Sequence, residues 1–149
     1  MRAIISSTSI AGRPTVTALV LLACAGCGSD VSPVPVRGTI TLDGSPLKGV
    51  QILFDPIVTA GAVTPPRSRA LADDQGHYAL KCDTGQSGAV PGKHRVTVMY
   101  MMSSHDQATA LKSGVRPIPA KYSAAALTPL QIEVNSGQDT YDLHLKSKS

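Results

Sequence analysis

Apolar and polar residues alternate with a period of two through most of the chain after residue 34, and this pattern predicts β-strands. In the first predicted strand, Val36, Ile40 and Leu42 share one face, while Thr39 and Thr41 share the other. Similar alternation recurs at residues 50–54, 68–73, 78–82, 93–101, 130–134 and 141–145. Because successive side chains of a strand point to opposite faces, each of these strands has one face for a core.

Turn-forming residues separate the predicted strands. Asp43-Gly44, Asp74-Gln75-Gly76, Pro91-Gly92 and Asn135-Ser136-Gly137 supply the residue types that tight turns require. Residues 59–69 and 103–119 show no period and are predicted as irregular segments, although residues 106–112 could form one or two helical turns. Roughly seven short strands without a strong helix predict an all-β fold, an antiparallel β-sandwich over residues 36–146. Residues 147–149 form a polar tail.

The beginning of the chain has a different pattern. Arg2 and Arg13 precede an apolar run at 16–23, which is followed by small residues and Cys27. This order predicts an export signal over residues 1–26. The apolar run has about eight residues, whereas a helix that spans a bilayer needs about twenty. A transmembrane anchor is therefore not expected, and an ordinary secretory signal is the second interpretation.

The residues around Cys27 indicate a lipid anchor. Ala25-Gly26-Cys27 resembles a bacterial lipobox, in which the signal is cut before a cysteine that becomes lipid-modified. The resemblance makes Cys27 the predicted lipidation site, and Cys24, at the end of Leu21-Leu22-Ala23-Cys24, is the alternative. Residues 28–35 are polar, contain prolines and lack a period, so residues 27–35 are predicted to act as anchor and tether.

Charge and aromatic content narrow the function classes. The formal net charge of +4 includes Arg2 and Arg13, so removal of the signal lowers it by two. The remaining basic residues are scattered singly, whereas nucleic-acid binding needs a basic cluster, and we expect no nucleic-acid partner. The chain has no Trp, one Phe and four Tyr, which disfavours a stacking platform for sugars.

The chemistry-bearing residues do not form a recognisable motif. The histidines His77, His94, His105 and His144 lack the spacing of metal-ligand motifs, so we expect no metal and no cofactor. No Gly-x-Ser-x-Gly motif occurs either. Cys82 alternates with Tyr78 and Leu80, which predicts a buried thiol that packs like a small apolar residue.

Four segments in order resemble a known domain family. The run from Val36 to Val50, with Val36-Arg37-Gly38 and Gly44-Ser45-Pro46-Leu47, resembles the opening of carboxypeptidase regulatory-like domains. The segments 73–78, 88–94 and 118–122 are similar to those of small bacterial lipoproteins that carry this domain. The resemblance implies a transthyretin-like β-sandwich that is an accessory module without peptidase activity. His94 departs from the pattern, since an aromatic residue often stands there.

The resemblance implies a function as well as a fold. It implies a non-catalytic module tethered in the cell envelope, at the outer membrane or on the outer face of the cytoplasmic membrane. We expect a protein-interaction or envelope-scaffold role, with a polysaccharide-binding accessory module as the alternative. Because function often resides in loops, the candidate contact residues lie in or beside the two irregular segments: Arg67, Arg69, Lys112 and Arg116. Solvent exposure of Tyr100, Tyr122 and Tyr141 would favour polysaccharide binding.

Overall fold

The computed structural model of the chain describes residues 32–112 and 114–148, so the predicted signal, Cys24 and Cys27 lie outside the described residues. Within these ranges the elements are β1 (Arg37–Leu42), β2 (Ser45–Pro46), β3 (Val50–Pro56), β4 (Ser68–Leu71), β5 (His77–Ala79), β6 (Lys81–Cys82), β7 (Gly92–Tyr100), α1 (Ser104–Lys112), α2 (Ala120–Ser123), β8 (Gln131–Val134) and β9 (Leu143–Leu145). The described chain is thus mostly β, as the alternation predicts.

The strands form two sheets of a β-sandwich. The four-stranded sheet is built around β1, which pairs antiparallel with β2 and β5 and parallel with β9. The five-stranded sheet has the order β6-β4-β3-β7-β8 and is antiparallel throughout. This arrangement confirms the predicted all-β sandwich, with β1–β9 as a parallel pair. The turn at residues 135–137 carries the chain from one sheet to the other, so β8 and β9 do not form a hairpin.

The core lies between the sheets and contains the residues that the alternation places inward. In β3, Val50, Ile52 and Phe54 are fully buried, as predicted. Most of the predicted inward residues of the other strands are buried with them: Val36, Ile40, Leu42, Tyr78, Leu80, Cys82, His94, Val96, Val98, Val134, Tyr141, Leu143 and Leu145. The alternation also places Val34, Tyr100, Leu130 and Ile132 inward, and these side chains are partly buried against the core. Full burial of a Val, Leu, Ile or Phe side chain contributes about 1.5–3 kcal/mol. The fold is therefore stabilised mainly by these alternating positions.

Two glycines allow neighbouring segments to approach more closely than a side chain would permit. A Cβ atom at Gly38 would lie 2.0 Å from the carbonyl oxygen of Tyr141. A Cβ atom at Gly88 would lie 1.8 Å from the carbonyl oxygen of Val34. Gly88 also has a φ of +100°, in the left-handed region that favours glycine. Both contacts bring β1, or the segment that leads into it, against residues from later in the chain.

The sandwich has two distinct ends. Val34 and Ala89 exchange backbone hydrogen bonds, so the chain enters the sandwich beside the start of β7, and Ile57 is bonded to Lys93 at the same end. Across the β3–β7 ladder, Pro56 lies opposite His94 and Val50 lies opposite Tyr100. We call the end with Pro56 and His94 the entry end (residues 57–67, 83–91 and 135–140) and the end with Val50 and Tyr100 the far end (residues 43–49, 73–76, 101–112 and 114–118). At about 3.3 Å per residue, β3 separates them by roughly 20 Å.

Candidate functional site

A cleft lies at the far end, between the segment that follows β7 and the turn before β3. Its volume is about 570 Å³. The lining combines apolar, charged and backbone groups: Pro46, Leu47, Lys48, Gly49, Asp74, Tyr100, Met102, Gly114, Val115 and Arg116. We call this site the far-end cleft. It has the mixed character of ligand and partner sites, in which a few polar groups stand on an apolar floor.

Arg116 holds the far-end cleft in shape. Its Nη2 atom donates hydrogen bonds to the carbonyl oxygens of Leu42, at 2.6 Å, and Ser45, at 3.3 Å. The hydroxyl of Tyr100 donates to the carbonyl oxygen of Arg116 at 2.9 Å, and burial raises the pKa of this tyrosine. Arg116, a predicted contact residue, is thus partly used to fasten its own segment. Lys48 and Tyr100 also line the cleft but were not predicted as contact residues, because periodicity does not show that these distant segments meet.

Helix α1 lies in the chain between two residues that line the far-end cleft, Met102 and Gly114, and its first turn is capped locally. Ser103 Oγ accepts a hydrogen bond from the backbone N–H of Asp106 at 3.1 Å and donates to the Asp106 carboxylate at 2.6 Å. A serine that caps the N–H three residues later is typical of a helix start. Lys112, the second predicted contact residue of this segment, lies in the last turn of α1 and is exposed. Two exposed apolar residues belong to the same segment: Met101 is 66 % exposed and Leu111 is 39 % exposed.

The other two predicted contact residues lie toward the entry end. Arg67 forms an ion pair with Asp55 at 3.2 Å between Nε and Oδ1. Arg69 lies in strand β4 rather than in a loop, which corrects its predicted placement, and its guanidinium is bonded to Asp83. The ladder of β4 on β3 ends at Ser68, so the irregular segment stops before Arg69. The four predicted contact residues therefore do not form one site, because the register separates them into two pairs.

The tyrosines serve the fold. Tyr78, Tyr122 and Tyr141 are buried, and Tyr100 is partly buried. The Tyr78 hydroxyl donates to the carbonyl oxygen of Tyr141, and the Tyr141 hydroxyl accepts from the N–H of Asn135 at 2.9 Å. Tyr122 bonds the backbone of Lys146. Because Phe54 is also buried, the described part of the chain offers no fully exposed aromatic ring for stacking on a sugar.

The four histidines lie in different places. His77 is in β5, 3.4 Å from the carboxylate of Asp73, and His144 is in β9, 3.0 Å from the hydroxyl of Thr41. His105 lies in α1 rather than in a loop. The ring of His94 is buried, with Nε2 2.7 Å from the carbonyl oxygen of Val90, and burial lowers its pKa. Among the residues that the structure describes, no three His, Cys, Asp or Glu side chains are grouped to hold a metal ion.

A second, more open depression crosses the outer face of the four-stranded sheet. Its volume is about 820 Å³, and its lining includes Thr39, Asp73, His77 and Asp142. Asp142 Oδ1 accepts hydrogen bonds from the N–H and the hydroxyl of Thr39, at 2.8 and 2.7 Å. These bonds hold the pKa of Asp142 below its usual range. We call this surface the sheet groove; its polar groups are already bonded to one another.

Comparisons with protein-family models, with curated proteins and with solved structures gave no significant match. Among the described residues, no helix is long and apolar enough to cross a membrane. The candidate site therefore rests on the geometry of the chain itself.

Proposed function

We propose that this chain is a lipoprotein, anchored in the cell envelope through Cys27, whose non-catalytic β-sandwich acts as a protein-interaction or envelope-scaffold module. The observation that carries the proposal is that the point where the chain enters the sandwich and the far-end cleft lie at opposite ends of the sandwich. The chain enters beside Val34 and Ala89, and the far-end cleft lies at the other end of the β3–β7 ladder. An anchored sandwich of this kind presents the cleft away from the membrane.

The length of the tether limits how far the entry end can lie from the bilayer. Seven residue steps separate Cys27 from Val34, and an extended chain covers at most about 3.5 Å per residue, or roughly 25 Å in all. The entry end thus remains within about one domain length of the bilayer. The far end stands roughly 20 Å further out along β3. In this orientation the far-end cleft lies at the end of the sandwich that is farther from the bilayer.

The composition of the far end suits a protein partner better than a glycan. Met101 and Leu111 are exposed, Met102 lines the cleft, and Lys112 lies beside them in α1. Met and Arg are enriched at protein interfaces, where a flexible thioether adapts to the surface it meets. Sugar recognition usually adds an exposed aromatic platform, and the tyrosine hydroxyls of this chain are bonded to its own backbone.

Site-specific photo-cross-linking in cells tests the proposal. A photoreactive amino acid is placed at Met101 on the far end, and matched controls carry it at Gln131 in β8 and at Lys81 in β6, all of which are exposed. We expect one reproducible protein adduct from position 101 that is absent from both control positions. Equal labelling from all three positions, or adducts from the controls alone, would contradict a partner at the far end.

The polysaccharide alternative has its own support in the sheet groove, whose carboxylates and hydroxyl could bond sugar hydroxyls. Thr39 and Asp142 already satisfy each other, so a glycan would have to displace those bonds. Co-purification of glycan with the membrane-extracted protein, lost in Asp142→Ala and retained in Met101→Ala, would establish this alternative and overturn the protein-interaction role.

A further inference from the structure

An apolar loop projects from the entry end between β3 and β4. Residues 57–64 read Ile-Val-Thr-Ala-Gly-Ala-Val-Thr and contain no charged residue, and all eight are exposed. Val63 is 92 % exposed, and Ile57 and Val58 are each 38 % exposed. Soluble domains rarely leave a contiguous apolar patch in water without a use for it. We call residues 57–64 the entry loop.

The base of the entry loop is fixed, so its apolar residues are held outward. The N–H of Ile57 donates to the carbonyl oxygen of Lys93 at 2.8 Å, which continues the β3–β7 ladder to the first loop residue. On the other side, Pro65 and Pro66 restrict the backbone, and Arg67 closes the base through its ion pair with Asp55. Within the loop, the N–H of Ala62 donates a hydrogen bond of 3.1 Å to the carbonyl oxygen of Thr59, and this bond closes a turn.

The charges around the entry loop are largely neutralised. Asp55, Asp83 and Asp139 form ion pairs with Arg67, Arg69 and Arg37. Lys93 follows Gly92 at the start of β7 and is exposed, with Glu133 opposite it in β8. Approach to a lipid surface therefore brings no large unpaired charge of either sign to the tip of the loop. The side chains that would enter first are Val63 and its small apolar neighbours.

We propose that the entry loop dips into the membrane interface and fixes the orientation of the sandwich on the bilayer. This inference rests on the lipid anchor proposed above, because the anchor is what holds the entry end near lipid. Three features favour lipid over a protein partner. The loop lies at the end where the tether joins, the tether is at most roughly 25 Å long, and the loop side chains are uncharged and, apart from Thr59 and Thr64, apolar.

A single-tryptophan experiment tests the entry loop. The chain contains no Trp, so Val63→Trp introduces a unique fluorophore at the loop tip. Met101→Trp, on an exposed residue of the far end, is the matched control. Each variant is prepared from residue 27 with Cys27→Ser and an N-terminal hexahistidine tag. Nickel-chelating lipids then hold it on vesicles of phosphatidylethanolamine and phosphatidylglycerol, which replaces the natural anchor.

The expected result is an asymmetry between the two variants. The emission of Val63→Trp should shift to shorter wavelength on vesicles and be quenched by brominated acyl chains, whereas Met101→Trp should keep the emission that it has in solution. Equal quenching in both variants, or quenching in neither, would overturn the proposal. Because the tag replaces the acyl chain, this outcome does not depend on whether Cys27 is lipidated in cells, which fractionation of the wild-type protein tests separately.

A charge substitution measures what the loop contributes. Val63→Asp, in the same tagged Cys27→Ser chain on the same vesicles, is compared with Thr64→Asp at the neighbouring exposed position of the loop and with Leu127→Asp, an exposed apolar residue outside it. Burial of one Val side chain corresponds to about a tenfold change in partitioning. We expect Val63→Asp to weaken vesicle association roughly tenfold relative to Leu127→Asp, and Thr64→Asp to weaken it in the same direction. Equal association of all three variants would contradict insertion of the loop.

Discussion

Substitution of Gly38 by alanine tests whether β1 depends on close approach to the segment before β9. The added Cβ atom would lie 2.0 Å from the carbonyl oxygen and 2.6 Å from the carbonyl carbon of Tyr141. Ordinary van der Waals contact begins at 3.4 Å, so the two backbones must separate by more than ~1 Å. Gly38 lies in the strand without a positive φ, and the clash is therefore the only strain that the methyl group introduces.

The separation would break identified hydrogen bonds. The N–H of Arg37 donates to the carbonyl oxygen of Asp139 at 2.8 Å, and the N–H of Tyr141 donates to the carbonyl oxygen of Arg37 at 2.8 Å. The N–H of Thr39 donates to the carboxylate of Asp142 at 2.8 Å. At about 1 kcal/mol for each net bond, Gly38→Ala should cost about 3 kcal/mol. Alanine also lowers the conformational entropy of the unfolded chain relative to glycine, which offsets about 0.5–1 kcal/mol of this loss in stability.

Urea denaturation followed by circular dichroism measures the effect. Gly85→Ala is the control, because Gly85 has a φ of +91° and nothing within 4 Å of its added Cβ. We expect it to lose about 1 kcal/mol from backbone strain alone. We expect Gly38→Ala to lose clearly more, with faster hydrogen exchange at Tyr141. A free energy of unfolding within about 0.5 kcal/mol of wild type for Gly38→Ala would refute the close-approach reasoning.

Three further predictions concern individual side chains. Burial lowers the pKa of His94 below its ordinary 6.5, so the contribution of neutral His94 to stability is full above pH 6.5 and is lost as the pH falls through the lowered native pKa. His94→Gln should therefore flatten this part of the curve of unfolding free energy against pH. An unchanged slope would contradict the prediction. Arg116→Ala should remove two hydrogen bonds, so we expect it to lower the free energy of unfolding by about 1–2 kcal/mol and to speed hydrogen exchange across residues 102–118. Lys112→Ala should change neither the free energy of unfolding nor the exchange rate. Equal hydrogen exchange in the two variants would contradict the role of Arg116 in holding its segment. Cys82 is 3 % exposed, so iodoacetamide should react with it slowly in the native protein and rapidly in urea; equal rates would show that the thiol is accessible.

The alternation of the sequence predicted most of the core residues that lie in strands, but it did not predict the core residues Leu47, Ala89 and Tyr122, which lie outside the strands. Val50, Ile52 and Phe54 illustrate why: period-two burial depends only on the strand itself, and any sheet that covers one face gives the same pattern. The inward position of His94 followed from the same rule, although its ring is polar. The all-β sandwich could therefore be predicted before the pairing of the strands was known.

The arrangement of the site could not be predicted in this way. Periodicity gives the face of a residue and not its partner strand, so nothing in the sequence showed that β9 pairs with β1 or that β8 lies in the other sheet. The ion pair between Arg37 and Asp139 joins residues 102 positions apart. The separation of Arg67 from Arg116 follows from the β3–β7 register, which the sequence leaves open. The far-end cleft exists only once that register is fixed.

The proposed function and the proposed role of the entry loop both depend on the lipid anchor that we propose at Cys27, and mass spectrometry of the membrane-extracted protein tests this anchor most directly. Intact mass and N-terminal peptide analysis should give a mature chain that begins at Cys27 and carries acyl groups, and Cys27→Ser should move the protein to the soluble fraction. A mature chain that begins at another residue without acyl groups, or unchanged membrane retention of Cys27→Ser, would contradict the anchor.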